Sequence, residues 1–295
     1  MVNFQQLSMF VETVECGSFS ACARKLGKAQ SAVSQGISNL ELDFGCELFD
    51  RSSRKPQLTP QGERLLSYAQ AVLSQVHELD CAAQALANHE ESVLTLAIDS
   101  ALLVPELELI LKEFSQRFAA TSLELLAVAS PDVSELMQNS KAHLGLMFAN
   151  MNIPDYADLC FVGSVPFYAV AHPKHALAKL PAITVAQLIS HRQILLKGLN
   201  GRQLEQFSPM SAQIWWANDF YLIADLVLQD MGWAYLPCHM VEKDIKNGLL
   251  CKLPLTLDHK PWSAPVDRIM RKNQPMGPAL TWLAHEIKMR FEQRG

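Results

Sequence analysis

Apolar positions in the first sixty residues recur at helical spacing. Phe4, Leu7, Phe10, Val11 and Val14 fall on one face and predict a first amphipathic helix. "CGS" interrupts it, Ser18 is placed to N-cap "FSACARKL", and Gly27 closes that second helix. A third run, "AQSAVSQGISNLE" at residues 29–41, sets Val33, Ile37 and Leu40 at i, i+4 and i+7, and Gly45 ends it. "ELFDRSSRKPQLT" then makes a short polar excursion between Leu48-Phe49 and Leu58, the pattern of a two-stranded wing. Thr59 and Pro60 supply an N-cap and a first helical position. From there to Ala87 Gly62 is the only glycine, and an apolar stripe runs through Leu65, Leu66, Ala69, Val72, Leu73, Val76, Leu79, Ala83 and Leu86. Such a helix is a rod of roughly 40 Å. A single helix of that length with one apolar face needs a partner. The same helix of a second copy is the expected one, and packing on its own domain is the alternative.

Beyond a polar hinge at 88–92 the period changes. "VLTLAI" reads as a strand, 105–118 as a helix, "LELLAVA" as a strand, 132–140 as a helix and "HLGLMF" as a strand. "FYAVAHP", "QILLKG" and "GWAYLP" read as further short strands, with helices such as 219–230 between them. Strand–helix alternation implies a largely parallel sheet, here enough for two lobes. Ligands of such folds bind beyond the carboxyl ends of strands and between lobes.

Composition adds limits. The 295 residues are 49% hydrophobic and 19% charged, ordinary for a protein with sizeable cores. No run approaches the ~18 apolar residues of a membrane span, and the N-terminus lacks a basic n-region and cleavage site, so a cytoplasmic protein without membrane contact is expected. Seven cysteines without a C-x-x-C pair argue against a disulfide framework or zinc site and for reduced thiols. The net charge of -5 sits entirely beyond residue 60, because residues 1–60 carry six basic and six acidic groups. Those basic groups form two clusters, Arg24, Lys25, Lys28 and Arg51, Arg54, Lys55, and local positive patches are compatible with an acidic whole.

The ordered string GSFS, QSAVS, LE, LF-x-R and LTPQG across residues 7–70 resembles the LysR-type transcriptional regulators. The likeness continues more weakly through "AHPKHALAK", "GWAYLPCHMV" and "NGLLCKLPL". It implies a multidomain protein: an all-α winged helix-turn-helix DNA-binding domain (1–60), a long dimerising linker helix and hinge (61–90), and an α/β two-lobed effector-binding domain like periplasmic binding proteins (91–295). Lobe I would hold about 91–164 and 266–295, and lobe II about 165–265. The resemblance further implies homodimers pairing into tetramers on an interrupted palindrome of double-stranded DNA. The chain departs from the family at Cys22 (usually Ala), Gln35 (often Arg or His), Gly36 (usually polar) and Gly145 (commonly Asp), and no glycine precedes the first effector-domain strand.

On the third helix, Gln30, Ser31, Ser34, Gln35 and Ser38 lie opposite the Val33/Ile37/Leu40 stripe and are expected to reach base edges. Gln pairs with adenine N6/N7, and Ser donates or accepts almost anywhere. Arg51, Arg54 and Lys55 on the wing and Arg24, Lys25 and Lys28 around the second helix are expected to hold phosphates, with Arg51 alternatively pairing with Glu41 or Glu47. Gly36 is expected either to let the backbone approach the groove or to leave the helix one base-reading side chain short.

For the effector, resemblance and geometry together point to Ser100, Ala101, Ser130 and Phe148 in the first lobe. The second lobe would add Lys197, Gly198, Asn200, Arg202, Trp216, Asn218 and Asp219. Helix N-termini at Ser100, Ser130 and Asn218 would offer N–H groups to an anion, so a small carboxylate is the expected effector class. The alternative is an oxidant-sensing regulator acting through Cys or Met oxidation, with Cys238 beside His239 as the reactive thiol. Nucleophile-elbow, zincin and P-loop signatures are missing, so neither an enzyme nor a resident cofactor or metal is expected. A transport binding protein fits the second half alone.

Overall fold

The computed structural model describes residues 3–292 apart from 51, 53–55, 151–153 and 259. The chain divides into two units, Met1–Leu86 and Ala87–Gly295.

The first unit is helical. α1 (Phe4–Cys16), α2 (Phe19–Lys25) and α3 (Gln30–Phe44) precede a hairpin of β1 (Phe49–Asp50) and β2 (Gln57–Leu58), and α4 (Pro60–Ala87) follows. The expected caps form: Ser18 Oγ accepts from Ala21 N at 3.2 Å, and Thr59 Oγ1 accepts from Gly62 N at 2.9 Å. Gly45 ends α3 at φ 69°, a left-handed turn that glycine adopts without strain. Phe10, Cys22, Val33, Ile37, Leu40 and Leu48 form the fully buried core. Phe10, Val33, Ile37 and Leu40 lie on the stripes read from the sequence and Leu48 just before the wing, whereas no pattern marked Cys22 as inward. Cys22, in place of the family's alanine, sits inside this core, and burial pushes its thiol up. Gly62 is where α4 passes the wing, because a Cβ there would strike the Leu48 carbonyl. Beyond its first turns α4 projects its stripe to solvent, with Leu79 68% and Leu86 75% exposed.

The second unit is built on one nine-stranded mixed sheet. In chain order its elements are β3 (Val93–Asp99), α5 (Pro105–Arg117), β4 (Ser122–Val128), α6 (Ser130–Gln138), β5 (Leu144–Phe148), β6 (Ala157–Ala171), α7 (Val185–Leu188), β7 (Gln193–Leu196), β8 (Ile214–Ala217), α8 (Phe220–Leu228), β9 (Trp233–Pro237), α9 (Cys238–Lys246), β10 (Cys251–Lys252), β11 (Trp262–Arg271) and α10 (Pro278–Glu292). The order across the sheet is β4-β3-β5-β11-β6-β9-β7-β8, with β10 on β6. β3, β4 and β5 run parallel and make lobe I; β7, β8 and β9 run parallel and make lobe II. Two long strands, β6 and β11, pair antiparallel with each other and pass through both lobes. The sheet is therefore less parallel than its strand–helix alternation suggests. Gly145 lies where β5 is squeezed between α6 and β11: a Cβ there would run into Ile269 and Val133, so the aspartate common in relatives has no room.

Candidate nucleic-acid interface and ligand cleft

α3 presents a neutral polar face. Gln30, Ser31 and Gln35 are exposed, and Ser34 and Ser38 are half-buried at its margin. Gln35 Nε2 donates to Asn39 Oδ1 at 2.9 Å, which fixes its amide along the helix face. The inward stripe is fully buried, so the helix is held from behind and the polar side chains are carried on a rigid support.

One acidic residue of this helix, Glu41, has structural work. Glu41 Oε1 accepts from Leu48 N at 2.9 Å and Phe49 N at 3.2 Å, tying the end of α3 to the start of the wing. Of the basic residues, Arg24 and Lys28 are exposed beside α3. Lys25 is paired within the chain: its Nζ lies 2.5 Å from Glu12 and 3.5 Å from Glu15, and the Glu12 contact raises its pKa. Arg51, Arg54 and Lys55 lie outside the described residues.

Gly36 overturns its expectation. A Cβ built there would come 2.5 Å from Met9 Sδ, so the missing side chain belongs to the α1–α3 packing and not to the outward face. Neither a closer backbone approach to the groove nor an absent base-reading side chain follows.

In the second unit, lobes I and II are clasped. Leu199 N donates to both oxygens of Asp132 at 2.9 and 3.0 Å, and Asn200 Nδ2 donates to Glu135 Oε2 at 2.6 Å. Ser100 Oγ donates to Asp219 Oδ2, while Asp219 Oδ1 caps α8 through Tyr221 N and Leu222 N. Gly198 permits the close approach: a Cβ there would stand 2.7 Å from Asp132 Oδ1 and 3.1 Å from Pro131 Cβ.

Beneath the clasp a cavity of about 220 Å³ is lined by Ser130, Phe148 and Arg202 among the expected residues. Ser134, Gln138 and Tyr156 also line it and were missed. Tyr156 Oη donates to the Ser134 carbonyl at 2.7 Å, a link between α6 and the start of β6 that no spacing pattern announces. Gly198, Asn200 and Asp219 serve the clasp instead. Trp216, 38% exposed on edge strand β8, lies under Lys197 Nζ at 5.3 Å from the ring centroid, so this pair stands apart from the cavity. Asn218 is exposed, and the helix cap expected near it falls to Asp219.

The expected anion cradle is already filled by the chain itself. Asp99, at the carboxyl end of β3 and completely buried, accepts from Ser130 N at 2.9 Å, Ser130 Oγ at 2.6 Å and Ala101 N at 3.1 Å. Burial pushes its carboxyl up to about 6, against the lowering effect of these hydrogen bonds. An external carboxylate at Ser130 would have to displace Asp99, which weighs against the anion reading. The redox reading fares no better at Cys238. That thiol is buried, and desolvation pushes it up to about 11, away from the reactive thiolate.

The comparisons cover both units. Residues 4–63 match the bacterial regulatory helix-turn-helix protein family of lysR type, and residues 87–292 match the LysR substrate binding domain. The transcriptional regulator AceR of Acinetobacter baumannii is 27% identical over 97% of both chains, and CrgA of Neisseria meningitidis serogroup C is 33% identical over 85% of both. Among solved structures, full-length BenM covers 100% of this chain and 98% of its own at TM-score 0.55 and 20% identity. LysG of Corynebacterium glutamicum with bound effector Arg covers 99% of each chain at TM-score 0.51 and 18% identity. Those two likenesses speak to the fold. A reading helix held by the core of its own domain, a two-lobed unit closed over a cavity, and a family match to each half make this chain a member of the LysR-type DNA-binding transcriptional regulators, with a substrate-binding effector domain.

Proposed function

We propose that Gln30, Ser31, Ser34, Gln35 and Ser38 read base edges, that Arg24 and Lys28 hold flanking phosphates, and that a small molecule in the cavity lined by Ser130, Phe148 and Arg202 controls the outcome. The observation that carries the first part is the exposed, uncharged polar face of α3 over a fully buried stripe. Phosphate contacts position a protein on the duplex while base contacts specify the sequence, so a neutral reading face flanked by cations is a sound division of labour. Lys25 would join the phosphate contacts by leaving Glu15, an exposed partner of little strength, and Glu12, a half-buried one. The protein binds as a homodimer through α4, pairing into a tetramer on an interrupted palindrome.

The experiment is operator selection from random DNA, followed by binding titrations over a range of salt. Gln30→Ala should change base preference within the selected site. Arg24→Ala should weaken all sequences alike and reduce the slope of log K against log salt by about one. An unchanged selected motif for both Gln30→Ala and Gln35→Ala would overturn the assignment of the reading face.

A further inference from the structure

A second cavity, of about 130 Å³, lies within lobe II and shares no lining residue with the cavity beneath the clasp. Phe207, Trp262 and Tyr235 give it aromatic walls, and Gln193, Gln206 and Asp258 give it polar ones. The walls are fixed. Phe207 and Trp262 meet edge to face with centroids 5.0 Å apart, and Gln193 Oε1 accepts from Met210 N at 2.8 Å. Tyr235 Oη donates to Asp258 Oδ2 at 2.7 Å. Burial and the neighbouring Asp258 push the Tyr235 hydroxyl up, so it stays a donor, and the Asp258 carboxylate retains capacity for a second donor. Gln206 Nε2 is buried and has no hydrogen-bond partner among the described residues, an unmet donor in the same wall.

We propose that this cavity is a second ligand site, taking one six-membered aromatic ring that carries a hydroxyl or amino group. The size is that of about one ring: an apolar protein cavity of roughly 150 Å³ admits benzene, and this one, of about 130 Å³, has exposed rim residues Ser208 and Leu257 where a substituent can extend. Edge-to-face aromatic walls favour a flat ring over an aliphatic chain. The polar substituent donates to Asp258, and its oxygen or nitrogen accepts from Gln206 Nε2 after a side-chain rotation. The walls come from β7, β9 and the start of β11, so an occupant ties together three strands of lobe II and stabilises it by mass action.

The test uses the full chain with phenol as probe, read by calorimetry and thermal melting. Phenol should bind saturably and raise the melting temperature. Ser208→Phe and, separately, Leu257→Trp fill the cavity from exposed rim positions, and each should weaken phenol at least tenfold. Ser134→Phe, which fills the cavity beneath the clasp, should leave phenol binding unchanged. Gln206→Leu should weaken phenol at least tenfold more than it weakens toluene. The proposal is overturned by no saturable phenol binding, by binding undiminished in a filled variant that melts cooperatively, or by loss in Ser134→Phe instead. Equal effects of Gln206→Leu on phenol and toluene would refute the polar recognition.

Discussion

At Gly36 the missing side chain leaves room for the end of Met9 between α1 and α3, in the space a Cβ would take. Glycine within a helix costs about 1 kcal/mol relative to alanine. In the parent protein Gly36→Ala recovers that amount but must move the end of Met9, so its net gain is small. After Met9→Ala the obstruction is gone, and Gly36→Ala should stabilise by about 1 kcal/mol. Denaturant unfolding of the four proteins of this cycle measures the coupling, and equal effects in both backgrounds would sink it. Asp99 gives the second prediction at this scale. Its folded pKa, about 6, lies above the ordinary 3.8, so the native state holds the proton more tightly than the unfolded chain. The stability this contributes is complete below about pH 4 and is lost as pH rises through about 6. Two pKa units correspond to about 3 kcal/mol, an order-of-magnitude value. Asp99→Asn should therefore gain stability relative to the parent as pH rises from 4 to 6.5. Unfolding curves whose separation stays constant over that range would count against the assignment. The sequence placed Ser130 and Ala101 at the strand ends, but no spacing indicates that the N–H groups there bind Asp99 of the same chain.

Among elements, α4 was legible almost to the residue, since Thr59, Pro60 and the stripe to Leu86 mark both its start and its face. The stripe is unsatisfied within its own unit beyond its first turns, as the exposure of Val72, Leu79 and Leu86 shows. Large exposed apolar side chains in register along one helix call for a second copy. Leu79→Glu combined with Leu86→Glu should convert dimers to monomers at micromolar concentration, measured by sedimentation. The same change should lower affinity for a two-half-site operator by more than tenfold while leaving single half-site binding intact. A doubly substituted protein that stays dimeric would remove α4 from the interface. The strands β6 and β11 were harder to read. Only the second half of β6 alternates clearly as "FYAVAHP", and β11 lies in "WSAPVDRIMR", where Pro265 argues against a central strand. Its tolerance has a local cause: Pro265 pairs with Ser164 next to the bulge at Val266/Asp267, where the ladder is already irregular.

At the level of the whole effector unit, β6, β11 and a shared aromatic cluster join the two lobes, and a few polar contacts with one glycine clasp them, long-range pairings that carry no sequence spacing. Asp132 and Leu199 are 67 residues apart, and Ser100 and Asp219 are 119 apart. Sequence reasoning could place Gly198 and Asn200 near the cleft by resemblance, but not say that they close it. A side chain at 198 should act as a wedge. Gly198→Ala puts a methyl against Asp132 Oδ1 and Pro131 Cβ, so the loop must withdraw and Leu199 N must lose its acceptor. Opening local to this loop should then become easier by about 1.4 kcal/mol, a tenfold rise in the exchange rate of the Leu199 amide. The parallel strands β3, β4 and β5 lie apart from the wedge and should keep their protection. Hydrogen exchange of the full chain measures both regions in one experiment. Slow exchange at Leu199 in Gly198→Ala would mean that the lobes are held by the aromatic cluster of Phe148, Phe167 and Phe220, whose centroids lie 5.3 to 5.8 Å apart, and that the polar clasp only decorates a closure fixed beneath it.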